Sequence, residues 1–67
     1  MIVLNGERCE SEDGETVAAA LGRIGIAPDA RGVAVAVDGE VVPRREWAAH
    51  ALADGAHVEV LTAMQGG

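Results

Sequence analysis

The chain has 67 residues, 49% of them hydrophobic, and carries a net charge of −6 from eleven acidic residues set against five arginines and no lysine. A field of that sign repels phosphate backbones and anionic membrane surfaces, so neither nucleic acid nor membrane is an expected partner, and no apolar run approaches the length of a transmembrane helix. One domain fits this length; it buries only about 60% of the surface its unfolded form exposes, and with Trp47 as the sole aromatic among many Ala and Val residues the core is thin and unsuited to a deep ligand pocket.

Residues 1–4 form a short apolar run followed by Asn5-Gly6, a dipeptide that tolerates the positive φ angles of a two-residue type I′ turn. The resulting hairpin places Leu4 opposite Glu7 and Ile2 opposite Cys9, so Ile2, Leu4 and Cys9 share a face by the period of two. Cys9 is then an inert structural thiol at or near the core. As the only cysteine it forms no intramolecular bridge, and without a secretory signal the chain is expected in the cytoplasm. Residues 10–14 make a polar connection. The acidic stretch from Glu10 to Glu15 superficially resembles a calcium loop, but the glycine and the distal glutamate spacing both fail, because the twelfth position is Leu21; it reads as a solvated connection.

Thr16 can cap the backbone donors of a following helix. Val17, Ala20, Leu21 and Ile24 fall at i, i+3, i+4 and i+7, one helical stripe. Gly25 suits the left-handed position that closes such a helix, Ile26 can supply the accompanying apolar contact, and Pro28 blocks continuation. In residues 32–37, Val33, Val35 and Val37 alternate with Ala34 and Ala36. Asp38-Gly39 turns the chain into a short strand with Val41 and Val42, which Pro43 closes and marks as an edge. Residues 44–53 read as a short helical or irregular turn in which Trp47 packs over the rim of the core and Arg44 and Arg45 are solvated. Asp54-Gly55 leads into His57–Thr62, with Val58 and Val60 facing one way and His57, Glu59 and Leu61 the other. His50 and His57 sit on different elements without a companion cysteine, so no metal site is expected.

This order implies an α+β domain: a mixed sheet of four to five strands with one helix packed across one face. The first and last strands lie parallel at the centre, each flanked by a hairpin. Nine glycines are about twice the average abundance, and two of them, Gly66 and Gly67, close the sequence. Residues 1–62 are expected to form the domain and residues 63–67 a flexible tail.

The element order is that of the β-grasp (ubiquitin-like) fold, and the stretches "IVLNG", "GETVAAAL" and "AVAVDGEVVPRREWAAHALADG", with the terminal Gly66-Gly67, resemble the thiamine-biosynthesis sulfur carrier proteins over nearly the whole chain. Two positions depart from that pattern: Ala56 stands where a second Asp is common, and Met64-Gln65 where small or β-branched apolar residues are expected. The resemblance implies a protein substrate rather than an enzyme, and no cofactor or metal of its own. An ATP- and Mg²⁺-using adenylyltransferase related to ubiquitin-activating enzymes would adenylate Gly67, sulfur from a persulfide-bearing protein would replace AMP to give a thiocarboxylate, and thiazole synthase would take the sulfur. Gly66, Gln65 and Met64 would be read in the partner's channel. The docking surface would be the sheet face away from the helix, where Ala34 and Ala36 leave the surface flat and Glu59 and Leu61 lie close to the tail.

The chemistry accounts for the glycines. An α-carboxyl titrates near pH ~3.5, so at neutral pH the terminus is a carboxylate, a poor electrophile that needs outside activation. Without Cβ, glycine can lie extended in a narrow channel and leaves the acyl carbon open to attack. The alternatives are the small subunit of molybdopterin synthase, another metabolite-specific sulfur carrier, or a β-grasp binding module that never uses its terminus. No GxGxxG, P-loop, HExxH or GxSxG pattern is present.

Overall fold

The computed structural model describes residues 1–63. It contains strands β1 (Ile2–Leu4) and β2 (Glu7–Cys9), helix α1 (Val17–Arg23), strands β3 (Val33–Val37) and β4 (Glu40–Val42), a 3₁₀ turn (Arg44–Glu46) and strand β5 (His57–Thr62). The five strands form a single sheet in the order β2-β1-β5-β3-β4. β1 and β5 run parallel at the centre and the other pairs are antiparallel, as the sequence implied.

Local chemistry sets the elements. Asn5 and Gly6 have φ +48° and +84°, and Asp38 and Gly39 +49° and +86°, so both hairpins use the left-handed two-residue turns that match strand twist. They fix the registers Ile2↔Cys9 and Leu4↔Glu7 in one hairpin and Val37↔Glu40 in the other. Thr16 caps α1, its Oγ1 accepting from the Ala19 amide at 3.2 Å. At the other end the amide of Ile26 donates to Leu21 O and that of Gly25 to Gly22 O, with Gly25 at φ +84°. These two bonds make a Schellman closure.

Val17, Ala20 and Leu21 of α1 pack onto Ile2, Val35, Val58 and Val60 of the sheet in one buried cluster. Ile24 departs from the expected stripe and is 45% exposed. It is the C-cap, with φ −99° and ψ 14°, where the chain has already turned off the helix path, and Ile26 beyond the closure packs on the core instead.

Trp47 corrects the expectation more strongly. It is 3% exposed rather than at the rim, and its indole N–H donates to Val42 O at 2.9 Å. It is the one aromatic side chain in a core otherwise made of Ala, Val, Leu and Ile. Arg44 is not freely solvated either: its guanidinium donates to the carbonyls of Pro28 and Ala30 and stacks 4.7 Å from the Trp47 ring centroid. Nor is residue 15 a solvated part of its connection. The Glu15 side chain is only 7% exposed and pairs with Arg23 at 2.8 Å, and Arg23 also donates to Glu10 O.

Just ahead of β5, the amino group of Met1 lies 2.7 Å from Asp54 Oδ1. The hydrogen bond raises the pKa of the Met1 ammonium and lowers that of the Asp54 carboxyl.

Candidate functional site

Strand parity divides β5 between two faces. Val58 and Val60 enter the core, while His57, Glu59 and Leu61 are exposed. On β3, Val35 and Val37 are buried, and Ala34 and Ala36 face away from the helix. The antiparallel register then makes Ala34 the direct partner of Leu61, and Ala36 that of Glu59. The four residues singled out for the open face thus form two adjacent cross-strand pairs, close enough for their side chains to act as one surface.

The alanine methyls keep this surface shallow, so Leu61 stands proud of it at 67% exposure. A fifth member went unnoticed in the sequence. Val41 of β4 pairs with Ala36 and is 75% exposed, extending the Glu59–Ala36 row to the sheet edge. Its signal was the parity of Val41 against Val42, since only Val42 reaches the core. Lone exposed apolar residues are ordinary, but two on one flat face next to the end of the last strand make a surface suited to weak docking.

At the end of β5, Thr62 pairs with Val33 as the last rung of the β3 ladder. One further bond follows, from the Ala63 amide to Gly32 O at 2.6 Å. A shallow groove lined by Gly32, Ala34, Leu61 and Ala63 joins this point to the open face. Residues Met64, Gln65, Gly66 and Gly67, to which tail recognition and modification were assigned, lie outside the described residues.

The residues set aside from function are placed elsewhere. Cys9 is half-buried on the edge strand β2, separated from β5 by β1. His57 is on the open face, whereas His50 is on the irregular segment, its carbonyl accepting from Val17. Among the described residues no group of three or more His, Cys, Asp or Glu is arranged to hold a metal ion.

A family model described as the ThiS family matches residues 2–67. Two solved structures are similar over nearly the whole chain. The crystal structure of the thiamine biosynthesis protein ThiS from Geobacter metallireducens shares 31% identity at a TM-score of 0.76, with 98% of this chain and 97% of that one covered. The solution structure of a thiamine biosynthesis protein from the same organism shares 31% identity at a TM-score of 0.77, covering 98% and 86%. No curated protein matches the chain.

Proposed function

The chain belongs to the ThiS family, and from that premise we propose that it is a sulfur carrier for thiamine biosynthesis whose Gly67 carboxylate is the cargo site. The observation that supports this reading is the extent of the family match, residues 2–67, a span in which the last two residues are Gly66 and Gly67.

The mechanism follows from what a carboxylate lacks. One oxygen of Gly67 attacks the α-phosphorus of ATP in an adenylating partner, releasing pyrophosphate and giving an acyl adenylate. A persulfide sulfur on a donor protein then adds to the acyl carbon and expels AMP. A thiol then attacks the donor-side sulfur of the acyl disulfide, forming a disulfide with the donor protein and releasing the thiocarboxylate. ATP and Mg²⁺ belong to the partner, and this chain contributes the acyl group and the surface that delivers it. That surface is the open face with Leu61, Glu59, Ala34 and Ala36, and the thiocarboxylate is consumed by thiazole synthase. Met64, Gln65 and Gly66 are the segment threaded into the partner's channel. Ordering them costs roughly 1–2 kcal/mol of backbone entropy per residue, so affinity has to come from the folded face.

The test is to incubate the chain with an adenylating enzyme, ATP and a persulfide donor, then map a thiol-selective alkylation. The label is expected on the C-terminal peptide. Intact mass would not serve, because replacing oxygen by sulfur and oxidising Met1 or Met64 give nearly equal gains. Deleting Gly67 is expected to leave the melting temperature unchanged and abolish adenylate formation; continued ATP consumption by the truncated chain would refute the reading.

A further inference from the structure

We propose that Gly32 is a positioning residue for acyl transfer: it clamps the root of the tail against β3, so that the residues beyond Ala63 start from a fixed point and direction. The proposal rests on the reading of Gly67 as the acyl donor.

Three observations single out Gly32. Its carbonyl accepts from the Ala63 amide at 2.6 Å, one rung beyond the Val33↔Thr62 pair. Its φ is +70°, in the left-handed region that favours glycine. A Cβ built there would lie 3.2 Å from the Ala63 Cβ, whereas a Cβ at Gly6, Gly14, Gly22, Gly25, Gly39 or Gly55 would meet nothing within 4 Å. Gly22 lies within α1, and the other five have positive φ in open space, where glycine is needed for the turn alone. Gly32 alone among the described glycines is a place where a Cβ would meet another segment of the chain, and that segment leads to Gly67.

Reach explains why the clamp matters. With Gly67 as the acyl donor, residues 64–67 have to bridge from Ala63 to the reacting carbon, and fully extended they span at most about 14 Å. With so short a lead, a partner seated on the open face finds the terminal carboxylate only if the tail departs in the right direction, and a misplacement of about 1 Å can lower a rate by as much as 10²-fold. The groove between Gly32 and Ala63 is continuous with Ala34 and Leu61, so a partner covering that face covers the clamp as well.

The experiment measures ATP–pyrophosphate exchange with an adenylating enzyme, using the full chain and the variants Gly32→Ala, Gly32→Asn and Gly32→Ala combined with Ala63→Gly. Gly32→Ala is expected to lower kcat about tenfold with KM within about twofold, since one added methyl leaves Leu61, Glu59, Ala34 and Ala36 in place. Asn tolerates left-handed backbone but keeps a Cβ, so it should show the same loss with less strain on the fold. Removing the Ala63 methyl should restore most of the rate to Gly32→Ala. Melting curves separate these effects from unfolding. Exchange by Gly32→Ala and Gly32→Asn at the wild-type rate, or no recovery in the double variant, would overturn the positioning role while leaving the carrier reading intact. No exchange with the wild-type chain itself would remove both.

Discussion

Asn5 shows how much one side chain can do beyond its local signal. Its φ of +48° places it in the left-handed region, where asparagine is tolerated better than most residues. Its amide also behaves as an extra rung of sheet: Oδ1 accepts from the Val60 amide at 2.8 Å and Nδ2 donates to Val60 O at 3.3 Å. The parallel pairing of β1 with β5 is thereby carried past the end of β1, where the Asn5 backbone amide donates to Val58 O. The turn was legible in the sequence because Asn-Gly is a local signal; the clip was not, because its partner lies 55 residues away. Asn5→Gly keeps the turn and deletes both side-chain bonds, so a loss of about 1–3 kcal/mol is expected. Asn5→Ala adds the cost of positive φ, about 1 kcal/mol more. Urea unfolding of the two variants reads these terms separately, and a Gly variant as stable as the wild type would show that the clip contributes nothing.

Elements whose signals are local were read correctly: the two hairpins, the register of the first, the Thr16 cap and the Gly25 closure; the central parallel pair was read from the order of the elements. The segment between β4 and β5 is the short helical and irregular turn expected, with a 3₁₀ turn at Arg44–Glu46, but its contacts were not legible, because they are set by the helix it meets. The first amides of a helix have no internal partner. Here Val17 donates to His50 O and Ala18 to Trp47 O, each at 3.0 Å. In return the Leu52 amide donates to Glu15 O at 2.8 Å, and Thr16 and Ala51 form a single antiparallel bridge. No periodicity marks such a segment, since its backbone follows another element's unsatisfied donors. Trp47 locks it in place, its ring in the core and its carbonyl on α1. Truncating a buried Trp to Ala costs about 3–5 kcal/mol, which equals much or all of what one small core supplies. Trp47→Ala is therefore expected to be largely unfolded at 25 °C by far-UV circular dichroism. Trp47→Phe keeps most of the ring but loses the indole N–H bond to Val42 O, and should fold with a loss of about 0.5–1.5 kcal/mol for that bond. Native-like stability in Trp47→Ala would mean that the segment is held by its backbone bonds alone.

On the scale of the whole molecule, the sheet of this 67-residue chain has one face buried under the helix and one exposed. The helix side holds the fold together, while the open side carries residues whose removal leaves the core untouched. Alternation made this division legible for Ala34, Ala36, Glu59 and Leu61; their direct pairing became visible only with the β3–β5 register. Leu61 is the sharpest test, because at 67% exposure it contributes little to folding and has most of its surface left to bury against a partner. Fully burying a leucine is worth about 1.5–3 kcal/mol. Leu61→Ser is therefore expected to melt within a degree or two of the wild type, yet to raise KM in the adenylation assay by about ten- to hundredfold, with kcat little changed. That is the reverse of the kcat-borne loss expected at Gly32. A KM-borne loss at Leu61 beside a kcat-borne loss at Gly32 would separate docking from tail delivery, and an unchanged KM in Leu61→Ser would move the docking surface off this face.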